Sequence, residues 1–381
     1  MFHSKKKWLF SFITLIVFLL GGEVIARLLL NENTPKGTPL DGHSELGWQL
    51  PRDEVDQEGH PVRRDSQGMR VTSSNSSAAQ VVYTIGDSSI FGHGLEDHET
   101  LHAHIEKEAK KEGISLKSIT GAVPGYSSVQ SLNQLFQYGW DQNPTLLIVG
   151  NLWSDNDIIN ETQLRNESHA PKEEDSWLMR HSALWKWMSV QLKIEGDPFQ
   201  AIGWMEEWHN KSGFRRVAPS RYGAVLDRII REAGSRKISV LLLSPCNRPL
   251  AAKETLDSGY PWDVYFDIMN DVAQYRNVPI VSGCHVAHEQ KLMGDKAFID
   301  RMHPTSLLNQ AYAKEIVHTL QTINWPQNQL LLDLAPKPYK KIWLDPWPSV
   351  YPEPKGRKYT LRPDNVIHDN SRKHKPGPKP R

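Results

Sequence analysis

Val81-Val82-Tyr83-Thr84-Ile85, followed by Gly86-Asp87-Ser88, is the stretch that decides the fold. A short run of apolar and β-favouring residues bounded by a turn signal reads as a strand buried on both faces, the pattern of a parallel sheet. The turn that ends it places a serine hydroxyl at the C-terminal edge of the sheet, ahead of a helix predicted over about 97–111 from Leu101, Ile105 and Ala109 at spacings of four. Backbone N–H groups at such a turn suit a developing oxyanion, so Ser88 stands where a nucleophile belongs. The same tripeptide is also an ordinary turn former.

Outward from this point the alternation continues. Strands are predicted near 116–120, 146–149, 238–243 and 278–281, with helices near 128–138, 222–232, 262–274 and 304–319. Five strands alternating with helices imply an α/β protein: a three-layer α/β/α domain over residues 78–325, with a five-stranded parallel sheet covered on both faces. Active sites in such sheets lie beyond the strand C-termini. A long insertion at 158–221 carries Trp177, Trp185, Trp187, Trp204 and Trp208. It reads as a small helical subdomain with a tryptophan core, or as a lid or aromatic platform for a sugar or acyl substrate.

The remainder of the 381 residues forms extensions. Lys5-Lys6-Lys7 precede an apolar run from Trp8 to Gly22 that continues to Leu30, so residues 1–30 read as cytoplasmic lysines and a transmembrane helix, with the domain on the exported side. No small-x-small site follows, which favours an uncleaved anchor over a cleaved signal peptide. Residues 31–77, rich in Pro, Gly, Asp, Ser and Asn, read as a stalk and surface layer. Residues 326–381 form a Pro-rich basic tail, with 12 Lys and Arg against 4 Asp and Glu from Lys337 onward. It reads as a solvated tail or surface strap with little helix or sheet, or as a binder of anionic envelope polymer or lipid. The formal charge of +1 leaves no footprint for nucleic acid. Cys246 and Cys284 each follow a predicted strand; on neighbouring parallel strands they would be close enough for a disulfide, and otherwise they are two buried thiols.

Asp300-Arg301-Met302-His303-Pro304 supplies a carboxylate and an imidazole three residues apart, just before a helix expected from Pro304. Asp300 can fix the His303 tautomer while His303 takes the proton from Ser88. In a purely structural role, Asp300 would be a helix cap and His303 a surface histidine.

With these blocks in order, the chain resembles the SGNH (GDSL-type) hydrolase family over roughly residues 78–322. The first block is Gly86-Asp87-Ser88, the second Gly121-Ala122-Val123-Pro124-Gly125-Tyr126, and the last Asp300 to His303. The third reads Gly150-Asn151-Leu152-Trp153-Ser154-Asp155-Asn156-Asp157, with Ser154 where the family has glycine. Leu46-Gly47-Trp48 and Gly68-Met69-Arg70 resemble the preface of anchored bacterial members. The resemblance implies a flavodoxin-like fold and a catalytic triad of Ser88, Asp300 and His303. It also implies an oxyanion hole from the Ser88 and Gly125 N–H groups and the Asn156 amide, with Asn151 as the rival donor. An ester hydrolase follows, acting on an O-acyl glycan, a lipid or a small acyl ester in the cell envelope. An O-acetyltransferase on an envelope polysaccharide, or a non-catalytic binding protein on the same fold, are the alternatives.

His98-Glu99-Thr100-Leu101-His102 spells H-E-x-x-H, the zinc pattern of metalloproteases, but Glu108 stands where the extended motif has its third histidine. Neither a Gly-x-Ser-x-Gly elbow nor a phosphate-binding glycine loop occurs, and no cofactor is implied.

Overall fold

All five predicted strands form, and a sixth joins them. In this computed structural model the described residues are 11, 14, 16, 18–25, 41–43, 46–50, 55–57, 60–65, 68–71, 78–159, 184, 213–252, 262–327, 337–344, 350–351, 359–361 and 367–369. The central sheet comprises β1 (Arg70–Val71), β2 (Gln80–Ile85), β3 (Leu116–Thr120), β4 (Leu146–Val149), β5 (Ser239–Ser244) and β6 (Ile280–Ser282), in the order β6-β5-β4-β2-β3-β1. Strands β2 to β6 are parallel, with Val82 opposite both Ser118 and Leu146, Leu241 opposite Ile148, and Leu243 opposite Val281. β1 runs antiparallel along β3, pairing Arg70 with Thr120 and Val71 with Ile119. The expected five-stranded parallel sheet is therefore a six-stranded mixed one, its extra edge drawn from the segment read as stalk.

The helices are α1 (Ser88–Phe91), α2 (Leu101–Lys111), α3 (Ser128–Gln134), α4 (Trp153–Asn156), α5 (Pro219–Ser235), α6 (Asp263–Arg276), α7 (Gly283–Glu289) and α8 (Ser306–Thr322). α2 packs on α8 and α5 on α6. These layers bury β4 and β5 along their whole length, as strands covered on both faces must be. α5 shows how the sequence directs this. Pro219 opens it, and Tyr222, Val225, Leu226, Ile229, Ile230 and Ala233 recur at three- and four-residue spacing to form the buried face.

β2 lies between β3 and β4, so the chain first crosses to one side of β2 and then returns past it to the other. The loops after β2, β3 and β4 consequently meet at a topological switch point, where α/β sheets place their sites.

Several boundaries differ from expectation. The helix predicted over 97–111 is interrupted: Asp97–Glu99 is a 3-10 turn, and Thr100 caps α2 by accepting from the Ala103 N–H. α8 begins at Ser306, because Pro304 is bridged to Phe298 and Thr305 serves as the cap. Before β2, Leu46, Leu50, Val62 and Met69 lie in the domain core, and the Trp48 indole donates to the Pro124 carbonyl at 2.9 Å.

The tail also docks. Asp227 accepts from Arg276 at 2.6 Å and from the Tyr339 N–H at 3.2 Å, while Asp271 accepts from Lys341 at 2.7 Å and from the Tyr339 hydroxyl. Val350–Tyr351 adds a parallel strand to Gly213–Arg215, and Tyr359–Leu361 pairs with Ile367–Asp369, so the tail has more sheet than its composition suggested. Gly213–Arg215 pairs in turn with Ile158–Ile159, closing the base of the insertion, whose five tryptophans lie outside the described residues. Among the described residues no helix is long and apolar enough to cross a membrane, and most of the span expected over 8–30 lies outside them.

Candidate active site

Ser88 opens α1 directly after β2. Asp87 caps the helix by accepting from the Ser89 N–H at 3.0 Å, which turns the Ser88 side chain out of the core. The turn is tight enough to require glycine at position 86, where a Cβ would lie 2.6 Å from the Ile90 side chain.

The second half of the site is a loop closed on itself. The Ile299 N–H donates to His303 O at 2.9 Å and the Thr305 N–H to Ala297 O at 2.8 Å. Within it, Asp300 Oδ1 accepts from the Met302 and His303 N–H groups at 2.7 and 2.9 Å, an Asx turn that leaves Oδ2 free to meet His303 Nδ1 at 2.6 Å. His303 Nε2 then lies 2.8 Å from Ser88 Oγ. Residues 215 positions apart thus form one continuous hydrogen-bonded chain, carboxylate to imidazole to hydroxyl. Burial alone would raise Asp300, but the hydrogen bond and charge of His303 and the two N–H groups outweigh it and hold the carboxyl well below its usual range.

The loops after β3 and β4 flank Ser88. The Val123 N–H donates to Gly86 O at 3.2 Å, and the Ser154 N–H donates to Asp87 Oδ2 at 3.3 Å, so both loops rest on the residues just before the serine. Gly125 adopts φ +77°, a left-handed conformation that suits glycine. Asn156 is buried at the end of α4. Asn151, the rival donor, spends its amide N–H on Ser131 Oγ at 2.9 Å and on the Tyr126 carbonyl at 3.4 Å.

Three further residues shape the site in roles that the sequence did not assign, two of them, Arg70 and Asp155, inside segments already matched to the family pattern. The His93 ring lies against that of His303, centroids 4.5 Å apart; burial, then the neighbouring His303, lowers His93 to about 4. Arg70 reaches from β1 beneath the loop that follows α1. Asp155 accepts from Ser128 and is pushed up to about 7 by burial, against the pull of those hydrogen bonds and of Arg216, with Asp87 adding to the rise.

Cys246, just past β5, and Cys284, at the start of α7, are joined in a disulfide with Cα atoms 4.6 Å apart. His98 and His102 do not share a face. Thr100 separates them, and the His98 side chain is 74% exposed whereas His102 is fully buried. Neither His102 ring nitrogen has a hydrogen-bond partner among the described residues, and burial lowers it to about 3 from its ordinary 6.5. The folded protein therefore keeps His102 neutral where the unfolded chain binds a proton, so stability is lost as pH falls from 6.5 toward 3. His102→Leu is expected to gain about 1 kcal/mol at pH 7 from removing an unsatisfied polar ring. At pH 4.5 the gain should grow by roughly a further 2–3 kcal/mol, about 1.4 kcal/mol for each pH unit below 6.5. Urea unfolding at the two pH values checks this; an equal change at both contradicts it.

No protein-family model matches the chain, and no curated protein sequence does. Solved structures similar to it include the lipase/acylhydrolase from Enterococcus faecalis, at 12% identity and TM-score 0.40, covering 64% of this chain and 96% of that one. The psychrotrophic esterase EstA from Pseudoalteromonas sp. has 11% identity and TM-score 0.38, covering 65% of this chain and 100% of its own. The acetyl xylan esterase AlAXEase has 12% identity and TM-score 0.40, covering 63% and 99%. At such distances the site is read from this chain's own geometry.

Proposed function

We propose that the chain is a serine acyl hydrolase of the SGNH type. The observation that carries this reading is the chain Asp300 Oδ2, His303 Nδ1, His303 Nε2, Ser88 Oγ, with links of 2.6 and 2.8 Å, at the sheet's switch point. In the reaction, Ser88 Oγ attacks an ester carbonyl while His303 Nε2 takes its proton. The oxyanion is received by the N–H groups of Ser88 and Gly125 and the amide of Asn156. Collapse expels the alcohol with the proton from His303, leaving an acyl-enzyme. Water, activated by the same imidazole, then releases the acid; a sugar hydroxyl in its place would make the reaction a transfer. Asp300 holds the Nδ1–H tautomer and stabilises the imidazolium.

The N-terminal lysines and apolar run support a domain anchored at 8–30 and exported, and the Cys246–Cys284 disulfide suits an oxidising compartment. The substrate class that fits this placement is an O-acyl ester on an envelope glycan or lipid. A fluorophosphonate probe tests the mechanism: it should label the folded protein and fail to label Ser88→Ala. Labelling that survives the substitution sinks the proposal. Turnover of acetylated glycans and short acyl esters, with and without an alcohol acceptor, then separates hydrolysis from transfer.

A further inference from the structure

Between the two loops that flank Ser88 lies a buried carboxylate that the acyl-transfer chemistry does not itself use. Asp155 precedes Asn156 on α4, and Ser128 opens α3 three residues after Gly125. The Ser128 N–H donates to both Asp155 oxygens at 2.9 Å, and the Ser128 hydroxyl donates to Oδ1 at 2.5 Å. Asp155 is fully buried. Its main-chain carbonyl is also held, accepting from the Val217 N–H at 3.0 Å, while the Asn156 carbonyl accepts from Arg215 at 2.5 Å. On the other side, the Ser154 N–H is taken by Asp87, the neighbour of Ser88.

The geometry points to Asp155 as a positioning residue: its carboxylate ties the Gly125 loop to the Asn156 helix and so sets the spacing between the two oxyanion donors that come from different strands. The inference rests on the acyl-transfer reading and deepens it. A carboxylate suits the task because it accepts the hydroxyl and amide of one residue together, joining two loops at a single point without a long side chain. Donors worth about 10²–10³-fold each act only if held within a few tenths of an ångström of the oxyanion.

The test is Asp155→Asn, in which one oxygen becomes an amide donor facing the Ser128 donors. Expected is a fall in kcat of about 30-fold to 300-fold with KM changed less than about twofold, since the donors act on the tetrahedral species and not on the bound ester. Affinity for an alkyl boronic acid, which Ser88 Oγ converts to a tetrahedral adduct, should weaken by the same factor. Ser128→Ala keeps the N–H and loses the hydroxyl, and should cost kcat about fivefold to tenfold. In that background Asp155→Asn should cost less than it does alone. Unchanged kcat, a matching rise in KM, or undiminished boronate affinity overturns the inference. Wild-type protein that neither cleaves esters nor captures the boronate sinks the acyl-transfer reading and this inference with it. Wild-type protein that does both through Ser88, yet is indifferent to both substitutions, sinks the inference alone.

Discussion

His303→Ala is expected to lower kcat for an activated ester by on the order of 10⁴-fold or more, with folding intact. Among the described residues the imidazole is the only group that reaches both Ser88 Oγ, at 2.8 Å, and the Asp300 carboxylate, at 2.6 Å, so its removal disconnects the hydroxyl from its base and strands the carboxylate. Adding Ser88→Ala should cost nothing more, because residues that act as one unit are not additive. Asp300→Asn should be milder, since the Asp300 side chain is about one-third exposed and water can partly replace its charge. Steady-state kinetics on the three single variants and the double variant check this. A double variant much slower than either single one would show that Ser88 and His303 work separately.

The second large effect is expected at Arg70. Its guanidinium is fully buried, and four of its five N–H groups are used: on Asp97 Oδ1 at 3.0 Å, the Phe91 and Gly92 carbonyls at 3.1 Å, and the Leu95 carbonyl at 2.8 Å. Arg70→Met would leave the Phe91 and Leu95 carbonyls without their donor, the Gly92 carbonyl with the Leu95 N–H alone, and Asp97 with only the largely exposed Arg63. Breaking a buried pair in this way costs about 3–5 kcal/mol. For a domain of this size that is a fall in Tm of roughly 8–15 °C. Arg70→Lys should rescue little, because one ammonium cannot serve acceptors spread over a planar fork. The segment it clamps runs from α1 to Asp97 and carries His93 against His303, so kcat should fall along with Tm. Calorimetry with parallel kinetics would reveal the opposite, a stable variant or a fully active one.

The parts of the fold that were legible before the structure are those whose physics is local. An apolar run of five ending in Gly-Asp-Ser can be little else than a buried strand feeding a turn, and α5 announces itself through its proline start and spaced apolar residues. The Asp300–His303 pair was legible because an Asx turn and its imidazole need only four consecutive residues. What escaped depends on partners far away in sequence. β1 is two residues long and has no periodicity of its own; it exists because β3 offers an edge and Arg70 finds four acceptors. The break at Thr100 was hidden because Asp97, His98 and Glu99 carry no apolar residue to mark a change of register, and a threonine cap looks like any other polar helix residue. His93 and Asp155 gain meaning only when three loops are brought to one edge of the sheet.

The docked tail has a consequence in time. Asp227, on α5, is made more than a hundred residues before the Tyr339 N–H that completes its shell. Until Tyr339 and Lys341 have left the ribosome, Asp227 therefore relies on Arg231 and Arg276 alone among the described residues. A nascent chain halted soon after α8 would possess every residue of the hydrogen-bonded chain from Asp300 to Ser88 and still lack the contacts that Tyr339 and Lys341 make to Asp227 and Asp271.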